Sequence, residues 1–114
     1  FYLPRLIGLP RATALMMLGD RIDAQTAENI GMIYKSCPDE EFQATVDTLL
    51  QKLAKLPTKA LGLTKRALNR ALENDLDTQL AIEQELQILA GQTADYNEGI
   101  NAFLEKRAPV FRGE

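Results

Sequence analysis

The 114 residues contain no histidine and one cysteine. Without an imidazole, the histidine-based triads are excluded, and so are most zinc-binding constellations. Cys37 has no second thiol to pair with, so no intrachain disulfide forms and the chain fits a reducing cytoplasm. No apolar run approaches the roughly 20 residues that span a bilayer. No dense positive surface is available either: the net charge is -3 and the pI near 5.0, which argues against nonspecific binding to nucleic-acid backbones. The opening run FYLPRLIG carries no basic stretch followed by a signal-like apolar block and a cleavage site, and it starts on Phe1. The start is therefore expected to be a cut inside a longer protein. Internal repeats and low-complexity linkers are lacking as well.

What remains is an ordinary globular composition, 46% hydrophobic and 25% charged, in a length that suits one compact domain over residues 1–114. Turn signals divide it into short segments, nearly all with helical periodicity, so the expected fold is all-α with about five to six helices and short connectors. Pro10 sits early in a helix that runs to Leu18 and stops at Gly19-Asp20. Asp23 offers a cap for a short helix that ends at Gly31. Residues 32–37 read as a connector, because a lone extended segment has no partner strand. From Asp39 to Leu56, Phe42, Val46, Leu49, Leu50 and Leu53 recur at helical spacing. Pro57 opens the next helix, Asn74-Asp75 interrupts it, and Leu76, Leu80, Leu86 and Leu89 mark another that breaks at Gly91. Thr93 caps a last helix through Phe103 and Leu104, Pro109 limits it, and Val110 to Glu114 form a tail.

The candidate chemical groups mostly have plain structural explanations. Glu83 and Glu85, two positions apart on a helix, point in different directions and read as solvated surface. Asp39, Glu40 and Glu41 favour the positive end of a helix. Cys37 lacks a base that would generate a thiolate. Met16 and Met17 are flexible enough to line an acyl pocket or to fill a core. Lys59, Lys65, Arg66 and Arg70 form either an anion-binding stripe or a solvated helix face. A helix-turn-helix over residues 23–31 is contradicted by the segment after it, since a recognition helix beginning Pro38-Asp39-Glu40-Glu41 would repel phosphate. The C-terminal run differs. Placed one helical turn apart, Phe103 and Lys106 bring an aromatic face and an ammonium to one ligand with a flat base and a phosphate, and Arg107 adds a second cation.

Three runs in order, LPRLIG at 3–8, LGDRIDAQTAENIGMI at 18–33 and TADYNEGINAFLEKRAPVFRG at 93–113, resemble the enoyl-CoA hydratase/isomerase (crotonase) superfamily over essentially the whole chain. The stretch LDTQLAIEQELQILAGQTADYNEGINAF is similar to phenylacetate-degradation members, including the ring-epoxide isomerase acting on a phenylacetyl-CoA derivative. The resemblance implies the helical C-terminal region of a parent with an N-terminal β/α spiral core. In that parent two backbone N-H groups polarise a thioester carbonyl and an acidic side chain moves the proton. Those groups map upstream of Phe1, so the fragment is expected to be inactive, with no catalytic residue of its own and no metal.

The same resemblance assigns Phe103 and Lys106 to the adenine and phosphate end of coenzyme A, with Arg107 in the same run as a further coenzyme A-binding residue and Met16 and Met17 loosely near the acyl pocket. It implies an acyl-CoA substrate, with coenzyme A as part of the substrate rather than a cofactor. It also implies a cytoplasmic lyase or isomerase of fatty acid metabolism, assembled as a homo-oligomeric trimer or dimer of trimers, with neither nucleic acid nor membrane as partner. The alternative from the residues alone is a stand-alone helical interaction module whose apolar helix faces bind a protein partner.

Overall fold

The computed structural model describes residues 1–114 as seven α-helices and one short 3-10 turn, with no strand. The helices are α1 (Tyr2–Ile7), α2 (Leu9–Leu18), α3 (Ala24–Asn29), α4 (Phe42–Ala54), α5 (Thr58–Ala71), α6 (Leu76–Gly91) and α7 (Ala94–Leu104), and the 3-10 turn is Asp39–Glu41. The all-α expectation holds, with more helices than the five to six anticipated. The addition is α1, whose Pro4 lies in its first turn, where a missing N-H breaks no helical hydrogen bond.

Contacts group the chain into two units, Phe1–Thr45 and Val46–Glu114. In the first, α1 packs on α2, and Ile7, Ala12 and Ala27 are the buried apolar residues. Arg5 reaches back over the Phe1 ring, 3.8 Å from its centroid, and donates to the Phe1 carbonyl. Asp23 caps α3 as its sequence position suggests, its carboxylate accepting from Thr26 N-H at 2.7 Å. After α3, Gly31 at φ 80° lets Gly31 and Met32 donate back to the carbonyls of Glu28 and Ala27. The connector is tethered rather than loose: Ser36 donates from both N-H and hydroxyl to the Glu28 carboxylate, at 2.7 and 2.6 Å. These bonds, the hydroxyl's first, hold the Glu28 carboxyl below its ordinary range.

The predicted helix from Asp39 to Leu56 is narrower than its apolar pattern. Pro38 leads into the 3-10 turn, α4 starts at Phe42 and stops at Ala54, and Lys55 and Leu56 close two tight turns. Pro57 then offers its carbonyl to Leu61 N-H at 3.0 Å and starts α5. Asp75 caps α6 through Thr78 N-H, so α5 and α6 form a helical hairpin across Asn74-Asp75. Gln79 stitches that hairpin, donating to the Ala67 carbonyl and accepting from Asn74. Gly91 is the last residue of α6 rather than the break that follows it.

Thr93 turns the chain into α7 and is buried, with 4% of its surface exposed. Its hydroxyl donates to the Ala90 carbonyl and accepts from Tyr96 N-H, so one side chain closes α6 and opens α7. Buried residues are few in this second unit, Leu86, Thr93, Asp95 and Ala102, whereas Leu50, Leu68, Leu72, Leu76, Phe103 and Leu104 are all more than half exposed. Apolar surface on that scale is unusual for an isolated soluble chain and characteristic of surfaces that meet something else. No helix is long and apolar enough to cross a membrane.

Candidate functional site

The tail expected after Pro109 is instead a strap lying back along α7. Asp95 and Glu98 are three residues apart and so share a helix face. The Asp95 carboxylate, 3% exposed, accepts from Arg112 N-H at 2.7 Å and Gly113 N-H at 2.8 Å, and Asp95 N-H donates to the Glu114 carbonyl at 2.9 Å. Glu98 accepts from Val110 N-H at 2.8 Å and from Arg107 through two parallel bonds, 2.6 Å to Oε1 and 2.9 Å to Oε2. The Arg107 Nε donates to Glu105 at 2.6 Å. A planar guanidinium is suited to this fork on two carboxylate oxygens. The hydrogen bonds from Arg107, with that from Val110, hold the Glu98 carboxyl down at about 2. The same carboxylate, with Glu105 second, raises the Arg107 guanidinium above its ordinary value.

The strap brings Phe111 to Gly99, where a β-carbon would lie 3.7 Å from the ring. It also brings Gly113, at φ 82°, so near the start of α5 that a β-carbon there would sit 2.5 Å from Thr58 Oγ1. Between α5, α6, α7 and the strap lies an open cavity of about 400 Å³, lined chiefly by Pro57, Ala60, Tyr96, Ile100, Phe103, Leu104 and Phe111. Thr93 and Asp95 also border it, but Thr93 is engaged in capping and Asp95 in holding the strap. Such a lining is predominantly apolar and suits apolar groups.

Phe103 is on the last turn of α7 and 82% exposed, available to stack against a flat partner. Lys106 is not on the helix, which corrects the one-turn spacing inferred for the pair. The helix ends at Leu104, and Lys106 adopts φ 56°, with Lys106 N-H donating to Phe103 O and Arg107 N-H to Ala102 O. This is the glycine-type helix stop with a lysine in the glycine's place. The backbone reversal keeps Lys106 exposed at the turn after Phe103. Arg107 is held by Glu98 and Glu105.

Met16 and Met17 are exposed near the end of α2 in the first unit. Arg66 and Arg70 border a recess together with Asn69 and Glu85, while Lys59 and Lys65 are exposed elsewhere on α5. Glu83 accepts from Gln79, and Cys37 is a half-buried free thiol. Periodicity did not single out Asp95 and Glu98. The available signal was their shared face and, further along the chain, two arginines on either side of a proline.

Comparison with known proteins places this geometry among relatives. The family described as enoyl-CoA hydratase/isomerase matches residues 1–114. The 1,2-epoxyphenylacetyl-CoA isomerase of Escherichia coli (strain K12) is 47% identical over 112 residues, 98% of this chain and 43% of that protein. The 2,3-dehydroadipyl-CoA hydratase of the same strain is 35% identical over 109 residues, 96% of this chain and 43% of that one. The crystal structure of an enoyl-CoA hydratase/isomerase from Cupriavidus metallidurans CH34 superposes with a TM-score of 0.89 at 34% identity, covering 99% of this chain and 43% of the other. The chain thus spans less than half the length of the relatives it matches.

Proposed function

The chain belongs to the enoyl-CoA hydratase/isomerase family, and from that premise we propose that it is the helical C-terminal domain of a cytoplasmic enzyme acting on acyl-CoA thioesters. Its part is to grip the nucleotide end of coenzyme A and to pack a homo-oligomer, a trimer or dimer of trimers, while the thioester chemistry belongs to the remainder of the parent. The observation carrying the coenzyme A role is the end of α7: an 82% exposed aromatic ring followed by an exposed lysine in left-handed backbone, where glycine would fit more easily.

An aromatic face suits adenine, and a compact ammonium suits a phosphate. Arg107 serves the same turn by fixing it through Glu98 and Glu105. Met16 and Met17, exposed and polarizable, are proposed to approach the acyl group once the rest of the parent is in place. The packing role is supported by the many large apolar side chains left exposed on α4 to α7. The finer substrate proposed is a ring epoxide derived from phenylacetyl-CoA, supported by the 47% identity to the isomerase of that name.

In the full-length enzyme, Phe103→Ala and Lys106→Ala are expected to raise KM for the acyl-CoA substrate by about tenfold each with kcat little changed, the pattern of lost uniform binding. Steady-state kinetics with unaltered KM in both variants would remove the proposed site.

A further inference from the structure

Lys106 carries a β-carbon in a backbone region that penalises one, and a glycine would make the same turn without that penalty. Such a conformation persists only where its surroundings over-determine it. Here the overdetermination is visible on both sides. Behind Lys106, its own N-H donates to Phe103 O at 3.2 Å and Arg107 N-H donates to Ala102 O at 3.0 Å. Ahead of it, the Arg107 guanidinium is forked onto Glu98 at 2.6 and 2.9 Å, bonded to Glu105 at 2.6 Å and to the Ala108 carbonyl at 3.3 Å. Glu98 also takes the Val110 N-H, so one carboxylate on α7 fixes the chain at two points after the turn.

The two adjacent cations therefore divide their work. Arg107, whose fork matches two carboxylate oxygens, is consumed by the clamp. Lys106, a point charge on a flexible stem, stays exposed and outside it.

We propose that Glu98 is a positioning residue for nucleotide recognition: by gripping Arg107 and Val110 it holds Lys106 in the left-handed turn after Phe103, so that its ammonium is presented to a phosphate. This rests on the proposed coenzyme A role and deepens it, because Glu98 would act through Arg107 and Val110, which its carboxylate holds.

The test uses the full-length enzyme and two probes, coenzyme A and pantetheine, which lacks the nucleotide, with affinities measured by calorimetry. Glu98→Gln and Lys106→Ala are each expected to weaken coenzyme A by about tenfold, the loss of one charge-assisted contact, and to leave pantetheine unaffected. The double variant should be no weaker than Lys106→Ala alone, because both changes remove the same contact. Arg107→Lys keeps the charge but not the fork and should weaken coenzyme A in the same selective way, which supplies a second handle should Glu98→Gln fold poorly.

Unchanged coenzyme A affinity in Glu98→Gln or Arg107→Lys, alongside a weakened Lys106→Ala, overturns the positioning role and leaves the coenzyme A site standing. Additive losses in the double variant, or equal losses for pantetheine, overturn it as well, since they mark general scaffolding. If Lys106→Ala itself binds coenzyme A normally, the underlying site falls, and the inference with it.

Discussion

At single residues, two backbone positions of the strap region run against ordinary preference, in opposite directions. Lys106 occupies a left-handed conformation that disfavours it by about 1 kcal/mol relative to glycine, so Lys106→Gly is expected to stabilise the fold by roughly that amount. Denaturant titration of the full-length protein should show a raised midpoint, and a lowered one would mean that the side chain itself supports the turn. Gly113 is the converse. Its positive φ strains any β-carbon, and one placed there would force the Thr58 hydroxyl to shift, so Gly113→Ala should destabilise by about 1–3 kcal/mol. Hydrogen exchange would report the damage locally, as faster exchange at the Arg112 and Gly113 amides that now donate to Asp95. Unaltered exchange there would show that the strap tolerates the added carbon.

At the level of elements, α7 and its strap act as one piece joined by two carboxylates. Because the Glu98 carboxyl is depressed from its ordinary 4.5 to about 2, its contribution is fully present above the unfolded value and lost as pH falls toward the folded one. The melting-temperature gap between the parent protein and Glu98→Gln should therefore shrink on acidification from about pH 6 to about pH 3. A gap that stays constant over that range would show that the charge of Glu98 is not what matters.

Elements whose cause is local were legible in the sequence. Asp23 and Thr93 each bond an N-H three residues ahead, and Pro57 starts a helix by itself, so spacing alone found these boundaries. Two kinds of feature were not. Helix α1 is only six residues long with a proline inside it, too short for periodicity to register. The strap takes its order from side chains 12 to 18 residues away bonding backbone amides, and no pattern within Val110–Glu114 records that. The one-turn helical spacing expected between Phe103 and Lys106 does not hold, because helical spacing continues in the sequence past the point where the backbone reverses.

Considering the whole chain, the ratio of exposed to buried large apolar side chains is the dominant physical fact. Leu86 and Ile7 are buried, while Met16, Met17, Phe103 and several leucines of α4, α5 and α6 are each exposed. Residues 1–114 prepared alone are therefore expected to self-associate and to bind a hydrophobic dye strongly. Sedimentation showing a dye-negative monomer would contradict the proposed packing role of these faces.

The turn at the end of α7 also has a use as a built-in clock. Lys106-Arg107 is a dibasic sequence that trypsin would cut readily in an extended chain, yet here the first residue is left-handed and the second is pinned on both sides. Cleavage at that bond must wait for the turn to open, so timed digestion reads how often this corner of the molecule unravels.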